Sequence, residues 1–114
     1  MNVTTEQRSG VEVMAVNGRL DSTTSTVFEA EVLKWIESPA THFVLDLSGV
    51  TFMSSAALRV LLTMVKRTAR SAKKVALAVS SPEVQDVLKI ANFTTLFKIE
   101  PTVDEAARVV LAQG

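Results

Sequence analysis

Two adjacent serines, Ser54 and Ser55, stand where a predicted strand gives way to a predicted helix. The apolar run at residues 43–47 predicts a strand that ends at Ser48-Gly49, and a short loop follows it. After the serines, apolar residues recur at helical spacing on one face: Leu58, Leu61, Leu62 and Val65. Free N–H groups and the helix dipole favour negative charge at such a start. The serines are therefore candidate phosphorylation sites, while the simpler interpretation is that one of them only caps the helix.

The three residue types of a hydrolase triad occur close together in the sequence, as Ser55, His42 and Asp46. However, His42 begins the strand that precedes Ser55, and the stretch from His42 to Ser48 spans roughly 20 Å at about 3.3 Å per residue. The histidine and the serine should thus lie at opposite ends of the sheet. We expect His42 on a surface loop, and Asp46 to accept backbone or hydroxyl hydrogen bonds. No catalytic residue is predicted, and we do not expect an enzyme.

The composition indicates one globular domain over residues 1–114, because 47% of the residues are hydrophobic. A formal net charge of zero gives no reason to expect nucleic acid as a partner. The absence of cysteine and the single histidine exclude thiolate and multi-histidine metal sites, so no metal or other cofactor is predicted. The N-terminus has no apolar run, and Arg59 interrupts the longest apolar stretch. We therefore expect a cytoplasmic protein without direct membrane insertion.

Apolar periodicity predicts the element order β-β-α-β-α-β-α-β-α. Strands are predicted at residues 3–8, 11–16, 43–47, 75–79 and 97–100. The first helix is predicted from Thr24 or Thr26 to about residue 37, and the second at residues 55–70. Two further helices are predicted to start at Pro82 and after Thr102. Asn17-Gly18 is a strong hairpin-turn signal, but residues 22–26 are too polar for a second strand, so we reject that pairing. The prediction is an α/β fold whose sheet is mixed but mostly parallel, with an N-terminal hairpin and about four helices. Strand order and oligomeric state stay open.

A group of basic residues marks the predicted end of the second helix: Lys66, Arg67, Arg70, Lys73 and Lys74. Cations complement the helix dipole at a C-terminus. We interpret this group as a solvated helix end.

Two stretches carry a resemblance to a known family. Residues 45–62 read LDLSGVTFMSSAALRVLL, which is similar to the signature D-L-S-x-V-x-F-M-D-S-S-G-L-x-V-L-L of the STAS domain (sulfate transporter and anti-sigma factor antagonist). Gly18-Arg19-Leu20-Asp21, followed by serines, threonines and a helix, resembles the family's G-x-L-D loop after the second strand. Over nearly its whole length the chain resembles stand-alone anti-sigma factor antagonists, which implies a single STAS domain.

The resemblance implies a regulatory protein that binds a partner acting as both serine kinase and anti-sigma factor. Phosphorylation would release the partner, and a phosphatase would reverse the reaction. The family's acceptor is the serine before the glycine of D-S-S-G-L, and this position is Ala56 here. Either the acceptor has moved to Ser55 or Ser54, or phosphate does not switch this protein. In the second case it would be a constitutive STAS assembly subunit, for example a partner of a transporter ATPase.

The predicted contact surface for this partner surrounds the serines and contains Asp21, Ser22, Thr23, Met53 and Arg59. For the residues at 21–23 the alternative is turn and cap chemistry, because Asp, Ser and Thr side chains bond neighbouring N–H groups. For Met53 the alternative is core packing.

Overall fold

The computed structural model describes residues 1–113 and shows a five-stranded mixed sheet with the strand order β1-β2-β3-β4-β5. The strands are β1 (Asn2–Arg8), β2 (Val11–Leu20), β3 (His42–Met53), β4 (Lys74–Ala78) and β5 (Lys98–Glu100). β1 and β2 are antiparallel, and each later pair of neighbours is parallel. Because parallel neighbours need a crossover connection, a helix follows each of β2, β3 and β4. The predicted α/β fold is confirmed.

Four α-helices cover the sheet, as predicted. They are α1 (Thr24–Trp35), α2 (Ser55–Arg70), α3 (Pro82–Ile90) and α4 (Val103–Ala112), and a short 3-10 turn (Phe93–Thr95) precedes β5. Among residues 1–113, no helix is long and apolar enough to cross a membrane.

The sheet buries two different faces because successive strand residues point to opposite sides. Phe43 and Leu45 join the larger core with α1, α2 and α3, whereas Val44 between them joins the smaller core under α4. The buried members of the smaller core are all valine or alanine, so the large aromatic and leucine side chains are concentrated on the three-helix face.

The only tryptophan of the sequence packs the end of α1 against the sheet. Trp35 is 7% exposed, and its ring meets that of Phe43 at 78°, with 5.0 Å between the centroids. The Lys73 ammonium lies 5.5 Å from the Phe43 ring centroid and donates to the carbonyls of Ile36 and Ser38. These contacts join the end of α1, the start of β3 and the turn before β4.

The N-terminal hairpin is confirmed, with Ser9-Gly10 as its two-residue turn between the paired residues Arg8 and Val11. The φ angles of Ser9 and Gly10 are both positive, at 53° and 85°. Positive φ at both positions is the type I′ geometry, whose twist matches that of the two strands.

β2 and β3 are both longer than predicted. β3 continues through Gly49 to Met53, so the loop predicted before the serines is strand instead. β2 continues through Asn17-Gly18 to Leu20, and its pairing with β3 shifts register on both sides of this dipeptide. Gly18 has a φ of 105°, which glycine adopts readily. As predicted, Asn17-Gly18 makes no hairpin turn, but these residues distort the strand rather than end it.

The buried face of α2 is turned by about one residue from the predicted one. Its buried residues are Ala57, Val60, Leu61, Met64 and Thr68. Of the predicted stripe, only Leu61 is fully buried, and the other three residues are half-buried. The residue before the helix, Ser54, is hydrogen-bonded to the end of β2.

A truncation on this face tests the core. Leu61 is fully buried, so Leu61→Ala removes apolar contacts and leaves a cavity. We expect a loss of about 3 kcal/mol in the free energy of unfolding, measured by urea denaturation. The matched control is Leu111→Ala in α4, where the side chain is 41% exposed and the loss should stay below about 1 kcal/mol. Equal losses would contradict the described packing.

Candidate functional site

β2 and β3 end side by side at one edge of the sheet. Leu20 and Met53, the last residues of the two strands, are paired. One residue further on, the Ser54 N–H donates to the Leu20 carbonyl across 2.9 Å. The loop after β2 therefore lies beside the start of α2, and we refer to residues 19–24 and 52–59 together as the serine edge. It lies at the carboxyl ends of parallel strands, where open α/β sheets commonly bind their ligands.

The two serines have different roles in the structure. Ser54 is half-buried and is the N-cap of α2, because its Oγ accepts the Ala57 N–H across 3.3 Å. Ser55 is the first residue of the helix, is exposed, and its hydroxyl makes no hydrogen bond to any residue in 1–113. The expectation that one serine caps the helix is confirmed for Ser54, and the Ser55 hydroxyl is left accessible.

Asp21 organises the loop between β2 and α1. Its Oδ1 accepts the N–H groups of Thr23 and Thr24 across 3.0 and 2.9 Å, and the Thr24 hydroxyl lies 3.1 Å away. The hydrogen bond from the Thr24 N–H is the largest influence that lowers the pKa of Asp21 below its ordinary value, and the positive charge of Arg19 contributes. Neither Thr24 nor Thr26 is the N-cap, as either was predicted to be. The N-cap is Thr23, whose side chain makes no capping bond, and Asp21 performs that task from two residues earlier.

Arg19 and Phe52 form a pair that the sequence did not reveal. They are directly opposite each other on β2 and β3, and the Arg19 guanidinium lies 4.4 Å from the Phe52 ring centroid. The Phe52 side chain remains 41% exposed. Both residues fall in stretches predicted as loop, so only the unpredicted extension of the two strands brings them together. The result is a cationic and aromatic surface at the serine edge.

The predicted contact residues divide into exposed and buried ones. Ser22, Thr23 and Arg59 are exposed, and Asp21 is half-buried with its carboxylate engaged in the loop. Met53 is 6% exposed and belongs to the larger core, so the predicted exposed contact by its side chain is absent from this structure. Alternation along β3 explains the difference, because Phe52 and not Met53 points away from the helices.

The residues of the hypothetical triad are not assembled. His42 is at one end of the twelve-residue strand β3 and Ser55 lies just beyond the other end. The Thr41 hydroxyl lies 2.9 Å from the His42 Nδ1. His42 is the first residue of that strand rather than a loop residue. Asp46 is half-buried and, as predicted, accepts a backbone hydrogen bond, from the Ser48 N–H across 3.0 Å. Within residues 1–113, no group of three or more His, Cys, Asp or Glu residues is placed to hold a metal ion.

The model of the STAS domain family matches residues 2–106, which include both strands and the helix of the serine edge. The chain belongs to the STAS domain family. This STAS domain is 27% identical over 107 residues to BtrV of Bordetella bronchiseptica, a candidate anti-sigma factor antagonist, and the match covers 94% of this chain and 92% of BtrV.

Solved structures share the fold of this STAS domain. An anti-sigma factor antagonist from Mycobacterium paratuberculosis superimposes with a TM-score of 0.88 at 23% identity, covering 96% of this chain and 92% of that one. The Bacillus cell fate determinant SpoIIAA, in its phosphorylated form, superimposes with a TM-score of 0.70 at 18% identity, covering 96% of this chain and 99% of that one. The resemblance inferred from the sequence is confirmed at the level of the family and the fold.

The role of the Asp21 carboxylate is tested by Asp21→Ala. The lowered pKa means that the ionised carboxylate stabilises the fold above its unfolded-state pKa, and that this contribution is lost as pH falls through the lower folded-state pKa. We expect Asp21→Ala to lower the Tm at pH 7, and the difference from the unmodified protein to shrink in strongly acidic buffer. Ser22→Ala, at an exposed neighbour, should leave the Tm unchanged at either pH. A Tm difference that stays constant with pH would show that the ionised carboxylate does not stabilise the loop.

Proposed function

We propose that this STAS domain is an anti-sigma factor antagonist that binds an anti-sigma factor with serine kinase activity, and that phosphorylation of Ser55 ends the complex. The observation that carries the proposal is the exposed Ser55 hydroxyl in the first turn of α2, which has no hydrogen-bond partner in residues 1–113. Two further findings support it: BtrV is named as a candidate antagonist, and SpoIIAA has been solved in a phosphorylated form.

Ser55 is favoured over Ser54 as the acceptor because the two hydroxyls differ in availability. The Ser54 hydroxyl is half-buried and engaged with the Ala57 N–H, so a kinase would have to draw it out of the cap before phosphoryl transfer. The position that carries the acceptor in the family signature is Ala56, which has no hydroxyl. Under the proposal, the acceptor has moved back by one residue.

The start of α2 is suited to accommodate a phosphate. The first turn has no acidic residue, so its N–H groups and the helix dipole face no competing negative charge from the helix itself. Arg59 is exposed and follows Ser55 by one helical turn, at the i, i+4 spacing that brings side chains together. Phosphorylated Ser55 would therefore be stabilised within the protein, and the fold would remain intact.

The same phosphate would alter the surface offered to a partner. The exposed surface of the serine edge includes Ser22, Thr23 and Arg59 beside Ser55. A partner that packs here meets a neutral hydroxyl, whereas a phosphoserine carries about −1.5 to −2 charges at neutral pH. Phosphorylation also draws Arg59 towards the phosphate and away from the partner. The complex would weaken although the STAS domain keeps its structure.

The proposal assigns binding, not catalysis, to this chain. The kinase activity belongs to the partner, a phosphatase resets the phosphoserine, and the exchange takes place in the cytoplasm. The competing proposal is a constitutive assembly subunit, for example on a transporter ATPase, and it is favoured by Ala56 at the usual acceptor position.

The first experiment measures phosphoryl transfer. With ATP and its cognate anti-sigma factor kinase, the protein should gain one phosphate, detected by intact-mass spectrometry and mapped to Ser55. Ser55→Ala should abolish the gain, while Ser54→Ala should retain it despite a loss of about 1 kcal/mol in stability from the missing cap. No gain in mass with a kinase that binds the unmodified protein would refute the switch and favour the constitutive subunit.

The second experiment measures binding by isothermal titration calorimetry. Ser55→Asp should weaken partner binding at least about tenfold, or about 1.4 kcal/mol, because a negative charge replaces a neutral contact. Its Tm should not fall, since an acidic residue in the first turn complements the helix dipole. Ser55→Ala should bind like the unmodified protein. If Ser55→Asp also binds with unchanged affinity, Ser55 lies outside the contact surface and the proposed release mechanism is wrong.

A further inference from the structure

A cavity of about 280 Å³ lies towards the opposite end of the sheet from the serine edge. Its walls come from the C-terminal half of α2, the start of β4, residues 94–98 and Gln113. Val65, Val75 and Leu96 give it an apolar wall, while Thr94 supplies a hydroxyl. The volume is just below the range for small-molecule sites, about 300–1,000 Å³. This cavity plays no part in the proposed release mechanism.

The charged groups that line this cavity all have the same sign. They are Lys73, Lys74 and Lys98, and none of its lining residues is acidic. Lys73 is engaged with the carbonyls at the end of α1. Lys74 and Lys98 are exposed, and their ammonium groups make no hydrogen bond or salt bridge to residues 1–113. Two cations are therefore available at the mouth of a partly apolar cavity.

The backbone holds these two lysines close together. Lys98 pairs with Ala76 across β4 and β5, and Lys74 precedes Ala76 by two residues, so both lysines lie on the α4 side of adjacent strands. Val65 and Val75 line the same cavity from the α2 side, so the cavity spans the end of the sheet. An anion between them would be attracted by both ammonium groups.

A second cavity of about 250 Å³ adjoins the first and shares Thr68 and Lys73 with it. It is lined also by Arg67 and by one acidic residue, Glu37, whose opposite charges balance. The basic group at the end of α2, interpreted from the sequence as a solvated helix end, thus continues across the sheet to Lys98. Because the whole chain has a formal net charge of zero, this positive region is a local property of the fold.

We infer that the larger cavity binds a small amphipathic anion. Its carboxylate or phosphate group would lie between Lys74 and Lys98 on the α4 side, and its short apolar part would pass the ends of β4 and β5 to reach Val65 and Leu96. A purely inorganic anion would leave the apolar wall unused, and a neutral ligand would leave the lysines unpaired.

The test uses hexanoate, its neutral analogue hexanamide, and inorganic phosphate as probes of the unmodified protein at low ionic strength. Binding is followed by amide chemical shifts in ¹H–¹⁵N NMR spectra. Hexanoate should produce saturable shifts at residues 73–75 and 94–98, and should bind at least about tenfold more tightly than either hexanamide or phosphate. Absence of saturable shifts, or equal affinity for hexanoate and hexanamide, would overturn the inference. Tighter binding of phosphate than of hexanoate would also overturn it, because the apolar wall would then contribute nothing.

A pair of double variants with the same change in net charge locates the site. Lys74→Gln with Lys98→Gln should weaken hexanoate binding at least about tenfold. Lys66→Gln with Lys89→Gln removes two exposed lysines that do not line the cavity, and should leave the affinity unchanged. All four side chains are exposed, so both variants are expected to fold, which the dispersion of the same spectra verifies. If both variants bind hexanoate equally weakly, the loss comes from the lower surface charge in general, and the proposed site is refuted. The result is independent of whether Ser55 is phosphorylated.

Discussion

The parallel pairing of β2 with β3 is the constraint on which the candidate site depends. The two strands stay paired to their last residues, and the N–H of Ser54 then bonds to the carbonyl of Leu20. This bond brings two segments together that are more than thirty residues apart in the chain. α2 starts directly after this bond, and its rotation decides which helix residues face the core and which face solvent. Exposure of Ser55 and engagement of Ser54 follow from that rotation.

The polar side chains of the serine edge have two different roles. Asp21 and Ser54 use their side chains to satisfy N–H groups at the starts of α1 and α2, which would otherwise lack partners. Their neighbours Ser22, Thr23 and Ser55 are exposed, with less of their hydrogen-bonding capacity used within the protein. Two hydrogen-bonded helix starts thus present a set of exposed hydroxyls. Such an arrangement allows a modification to change what a partner meets without changing the scaffold.

The sequence predicted the fold well because its signals were local and consistent. Apolar strands alternated with capped helices, and the serine before α2 and the threonine before α4 cap as expected. The prediction from the sequence was wrong where the structure depends on pairing with a neighbouring strand. Asn17-Gly18 and Ser48-Gly49 look like ends of strands, yet pairing between β2 and β3 carries both strands past these points with shifted register. The Arg19–Phe52 pair and the burial of Met53 both follow from that extension. The register across two strands also unites Lys74 with Lys98, which no local pattern indicates.

The packing of Trp35 against Phe43 has a spectroscopic consequence. The chain contains one tryptophan and no tyrosine, so its near-ultraviolet fluorescence comes almost entirely from a single indole. That indole is buried at the end of α1, and its Nε1 has no hydrogen-bond partner in residues 1–113. Its emission wavelength depends on how far water has access to the junction between α1, β3 and Lys73. The serine edge, where α1 begins, contains no such emitter. If binding of a non-fluorescent ligand shifts the tryptophan emission maximum, the shift would therefore signal a rearrangement at the far end of α1, not contact at the serines.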